Sequence, residues 1–167
     1  FNKNDESHLS FYRSAYDALL SGHDDNKKPY DRIFMSVDNS EQFTEVFSEF
    51  CAKSYERGEH EFDDESFEAL FKELKSYKGY ENTHKMNKKN FQHDACATAC
   101  IMYEEKDEGK IFYIDPGFQK YLFAHYYINA DDEETKEMGV TLNNTDRIAF
   151  DDYEALDMLY EKSGIRI

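Results

Sequence analysis

Apolar residues along this chain fall into helical registers separated by polar, glycine-bearing breaks. Leu9, Tyr12, Tyr16, Leu19 and Leu20 share one helical face, which Ser7 can cap and Gly22 can end. A polar loop follows over 23–29, and the imperfect alternation of 30–37 leaves both a short helix and an extended segment open. The clearest stripe is Phe43, Val46, Phe47, Phe50 and Cys51, a helix that starts at Asp38 or Ser40 and stops at Gly58. Residues 59–62 then have room for a very short strand only. Asp63 or Asp64 opens the next helix, with Phe67, Leu70, Phe71 and Leu74 inward, Lys72, Glu73 and Lys75 outward, and an end by Gly79.

The stretch 80–90 reads as a polar loop carrying Lys85, Lys88 and Lys89. A third helix, from about 90 to 99, places Phe91, Ala95, Cys96 and Ala99. Two apolar runs, 100–103 and 110–114, flank the turn-like 104–109 and predict a β-hairpin. Asp115-Pro116 is a strong helix start, because the carboxylate accepts free N–H groups and proline fits the first helical position. The helix that follows, 117–129, is mostly Phe, Tyr, Leu and Ile, so it is expected to be buried on more than one side. The acidic 129–137 reads as a solvated linker or helix end. The last amphipathic segment, 152–162, presents Tyr153, Leu156, Leu159 and Tyr160, and predicts a helix whose packing partner lies further downstream.

Helix, short strand, helix, helix, strand, turn, strand is the order of a winged-helix unit, here over 41–114. The predicted fold class is mainly α with a small β-hairpin, a winged-helix unit flanked by additional helices. It divides into an N-terminal helical segment (1–37), the winged-helix-like domain with its following helix (38–129), and an acidic linker with a terminal helix (130–167). No internal repeat is present.

Charge narrows the possible partners. Twenty Lys and Arg against 36 Asp and Glu give a net charge of −16, which repels nucleic acid and anionic membrane surfaces. The hairpin tip is Glu104, Glu105, Lys106, Asp107 and Glu108, a poor wing for phosphates, which leaves Lys85, Lys88 and Lys89 as the residues of a DNA-binding alternative. With 14 Phe and 13 Tyr the chain is globular rather than a disordered acidic tail. No apolar run is long enough to span a bilayer. Three cysteines without a secretory signal suit a reducing cytoplasm. The opening Phe1-Asn2 reads as part of a longer polypeptide.

Enzymatic signatures are missing. The single Gly-Lys pair, Gly109-Lys110, has Glu104 where a P-loop requires its first glycine, and HExxH, GxSxG and paired CxxC patterns do not occur. His93, Cys96 and Cys100 lie near one helical face and could ligate zinc with a fourth group such as His84, although small Cys side chains equally suit helix-to-sheet packing. His60 and His125 have no nucleophile at local spacing. The acidic pairs Asp24-Asp25, Asp63-Asp64 and Asp131-Asp132 lack the pattern of a calcium loop. No catalytic, cofactor-binding or metal residue is therefore assigned.

The segment Tyr113 to Ala124 resembles the one that ends the winged helix of NACHT-type signal-transduction ATPases of the STAND class. Phe118, Gln119, Tyr121 and Ala124 match that pattern outright, and Tyr113, Gly117 and Leu122 match it loosely. The wider resemblance runs from Phe11 to Ile128. It implies a non-catalytic regulatory module of a signalling or defence protein whose upstream P-loop domain binds ATP or ADP. The module would lean on that domain until a downstream sensor region released it. The interdomain contact is then expected at Phe118, Gln119, Tyr121, Leu122, Tyr126, Tyr153, Leu156 and Tyr160. Asp115 stands where the family has a phosphate-contacting histidine, and a carboxylate there would repel a β-phosphate; Lys120 replaces the usual glutamate. A free-standing winged-helix adaptor for a basic protein surface is the alternative.

Overall fold

A computed structural model of the chain describes residues 7–21, 32–74, 79–80, 83–144 and 154–163. Its first helix, α1 (His8–Ser21), is followed by α2 (Ser40–Glu56), strand β1 (Glu61–Phe62) and α3 (Asp64–Glu73). Helix α4 (Lys88–His93), strands β2 (Met102–Glu105) and β3 (Lys110–Tyr113), and helices α5 (Pro116–Asn129), α6 (Asp132–Asn144) and α7 (Glu154–Ser163) complete it. The sheet is antiparallel in the order β1-β3-β2. Strand β1, set between α2 and α3, pairs with the hairpin that follows α4, and the class is mainly α with a small hairpin, as the pattern predicts.

Local chemistry sets the boundaries. Asn39, rather than Asp38 or Ser40, caps α2 by accepting from Gln42 N at 2.9 Å, and Gln42 Oε1 accepts in return from Asp38 N at 2.9 Å. Asp63 and Ser66 form a reciprocal capping box at α3. The α2 stripe of Phe43, Phe47 and Phe50 meets Phe67 and Phe71 of α3 around Phe91 of α4, and all six are essentially inaccessible. Phe62, Met102, Ile111 and Tyr113 close this core from the inner face of the sheet.

The helical run that starts with α4 ends at Thr98, near the expected position, but changes its hydrogen bonding on the way. Its last turn widens into a π-helical segment, Asp94–Thr98, in which Ala99 N reaches back five residues to Asp94 O at 2.7 Å. Cys100 then turns the chain in the left-handed region, φ +55°, so that Ile101 N can bond Ala95 O at 3.0 Å. Glycine normally fills such a position.

Helix α5 is buried on several sides, as its composition predicts: α2, α7 and α1 all pack on it. Two expectations are corrected. The stretch read as a solvated linker or helix end instead opens a helix, α6, which Asp131 caps by accepting from Glu133 N and Glu134 N. Its nearly all-round exposure, with Met138 its buried apolar anchor, explains why no apolar stripe announces it. The partner of α7 is within the chain rather than downstream, since Ala155 and Met158 are buried and Glu154 accepts from Lys120 Nζ of α5 at 2.7 Å. His8 Nδ1 of α1 lies 2.6 Å from the other oxygen of Glu154, so the three helices share one carboxylate. Burial by itself would raise the Glu154 carboxyl, but the bonds from Lys120 and His8 outweigh it and hold it below its ordinary value. Among the described residues, no helix is long and apolar enough to cross a membrane.

Candidate functional site

The residues expected to form an exposed interdomain patch are mostly interior. Phe118, Gln119, Tyr121 and Leu122 are buried by the chain's own helices, so they are not available as a docking surface. Tyr126 and Leu156 are half-buried, Tyr160 is exposed, and Tyr153 lies outside the described residues. The physical reason is that α1 and α7 cover the greasy helix which, judged by composition alone, could equally have awaited a separate partner.

Gln119 is the polar centre of this interior. Its Nε2 donates to Ser54 Oγ at 2.8 Å and to the Glu59 carbonyl at 2.9 Å, while Oε1 lies 2.7 Å from His60 Nδ1. Ser54 Oγ is also 3.0 Å from the Tyr113 hydroxyl. One amide thus joins α5 to the end of α2, the turn before β1 and strand β3. The amide that matches the family-like pattern is here a structural tie.

Asp115 is committed in the same way. One of its oxygens caps α5, accepting from Gly117 N at 2.8 Å, and also accepts from the Tyr12 hydroxyl at 2.9 Å. Burial, then the bond to Asp115, pushes the Tyr12 hydroxyl up to about 12, so it remains a donor at neutral pH. The Tyr12 ring lies so close to Gly117 that a Cβ built there would fall 1.9 Å from it. A side chain at position 117 would therefore require Tyr12 to move.

The basic loop is largely neutralised by ion pairs. Lys85 pairs with Asp38 and Lys88 with Asp64, and the wing beyond α4 presents exposed carboxylates. Among the described residues, no three His, Cys, Asp or Glu side chains converge in a way that could hold a metal, so the His93, Cys96 and Cys100 set is not assembled. Burial, followed by Glu104 and Cys100, pushes the Cys96 thiol up to about 12.

A cleft of ≈ 750 Å³ opens between α1, α2, α5 and the start of α6, with Asp17, Glu41, Glu45, Glu49, Glu134 and His125 on its walls. Burial, then Lys162 and Arg13, lowers His125 to about 4, so the imidazole is neutral in the folded state. An unfolded histidine takes up its proton near pH 6.5. The native state is therefore fully favoured above that pH, loses stability as pH falls toward 4, and loses no more from this group below it. Unfolding free energies from urea titrations at pH 7 and pH 4.5 should differ by ~2 kcal/mol more in the parent than in His125→Gln, with partial solvent screening included.

The second surface of note is the outer face of the sheet, opposite the aromatic core. The register places Glu61, Phe112 and Tyr103 side by side across β1, β3 and β2. Phe112 and Tyr103 stack with centroids 5.3 Å apart and planes 21° from parallel. A hollow of ≈ 210 Å³ beside them is lined by His60, Glu61, Pro116, Gln119 and Tyr113 in addition to the two rings. Sequence spacing marked His60 and Tyr103 only as parts of strands, since the stack depends on the pairing of β2 with β3. No family model, curated protein or solved structure matches the chain.

Proposed function

We propose that this chain is a non-catalytic, protein-binding winged-helix module, of the kind that regulates a NACHT-like STAND ATPase from within the same cytoplasmic polypeptide. The observation that carries this reading is continuity: the wing strand β3 runs through Asp115-Pro116 directly into α5, which bears the family-like residues in the order the resemblance expects. ATP or ADP would be held by an upstream P-loop domain, not here, because Asp115 is occupied by Gly117 N and Tyr12. Paired lysines and an acidic wing argue against nucleic acid as partner.

The test is to express the upstream region of the polypeptide that carries this segment and to titrate this chain into it in ADP and in ATP. A P-loop domain that binds the chain more tightly in one nucleotide state supports the reading. An upstream region with no P-loop, or one indifferent to the chain, overturns the ATPase assignment. It would then favour a free-standing adaptor, the second reading, which the self-covered helix α5 supports.

A further inference from the structure

We infer that the outer face of the sheet binds an arginine-bearing basic segment of a partner protein, with a guanidinium laid on the Tyr103 and Phe112 rings and turned toward Glu61. This rests on the protein-binding reading above and gives it a site.

The face combines two properties. It is aromatic at its centre, with Tyr103 46% exposed, and Phe112 half-buried beside it. The charge around it is mainly negative. Glu61 adjoins Phe112 in the register, Glu105 pairs with Lys110 in the next row, and Asp107 and Glu108 lie on the exposed turn. Lys110 is the cation of the row and is already paired with Glu61 at 2.8 Å. Because both groups are largely exposed, that pair is held weakly and can be exchanged for another cation.

Aromatic faces attract cations, most effectively when a carboxylate adjoins them. Arginine suits the arrangement better than lysine, because its planar guanidinium stacks on a ring while its N–H groups reach an oxygen in the same plane. The hollow beside the rings has room for one side chain, not a folded ligand. Gln119, at its buried end, already spends its amide on Ser54, Glu59 and His60. The charged wall is Glu61, which excludes an anion. Flanking basic residues of the same segment would meet Glu105, Asp107 and Glu108, and the net charge of −16 would steer such a segment in.

The test is fluorescence anisotropy at physiological salt with a fluorescein-labelled peptide of alternating arginine and glycine and its lysine counterpart. The arginine peptide should bind about tenfold more tightly than the lysine peptide. Tyr103→Leu combined with Phe112→Leu keeps the apolar volume and should erase that preference. Glu61→Gln, at an exposed position that should not threaten folding, should weaken the arginine peptide roughly threefold. Neutralising Glu105, Asp107 and Glu108 together should weaken both peptides alike. Equal affinities for the two peptides in the parent chain, or a preference that survives the leucine pair and Glu61→Gln, overturns the site. If the site fails while the upstream domain still binds in the titration above, the interaction module stands without it.

Discussion

Asp94→Ala should lower stability by about 3–5 kcal/mol, read as a drop of roughly 10–15 °C in thermal midpoint. This carboxylate is fully buried in the π-helical segment and serves residues far away in sequence. It accepts from Met35 N at 2.9 Å, from Ser36 N at 2.7 Å, from Ser36 Oγ at 2.6 Å and from Thr98 Oγ1 at 3.0 Å. Alanine would leave the Ser36 and Thr98 donors buried and unsatisfied, which costs more than the bonds themselves contributed. Arg32, which donates to the Thr98 carbonyl, closes the same clasp from the other side. The diagnostic readout is local: amide exchange at Met35 and Ser36 should accelerate, and trypsin should cut sooner after Arg32. An unchanged midpoint with unchanged exchange would refute the clasp.

Phe91→Ala should cost a similar 3–5 kcal/mol, and Phe91→Leu about 1–1.5 kcal/mol. Phe91 is completely buried. Its ring sits 5.1 Å from Phe71, 5.7 Å from Phe50, and 6.0 Å from both Phe43 and Phe47. Those rings come from α2 and α3, so removing Phe91 opens a cavity where three helices converge. Urea unfolding should show a lower midpoint at unchanged slope if the rest of the domain holds. A loss below ~1 kcal/mol would mean that the core collapses around the gap.

The sequence could reveal the elements with regular period and explicit caps. The α2 stripe, the Asp63 cap, the hairpin and the Asp115-Pro116 start all depend on residues within a few positions of one another. What it could not reveal depends on long-range partners. Asp94 looks like an ordinary helix carboxylate until Met35 and Ser36 are brought to it, and a π-helical turn has no register that a period of 3.6 detects. Helix α6 presents little apolar face, so its composition resembles that of a linker. Phe118, Tyr121 and Leu122 announce burial but not what buries them; the answer lies in α1 and α7. The outer stack shows the same limit, because Tyr103 and Phe112 become neighbours only when β2 pairs with β3. Likewise Lys85 and Lys88 make a basic cluster in sequence that Asp38 and Asp64 cancel in space.

The carboxylate of Glu154, held by both His8 and Lys120, brings the start of the first described helix against the start of the last. Helix α7 then runs only about 15 Å before its end. One side chain thus clamps together helices whose linked residues lie 146 positions apart in the chain.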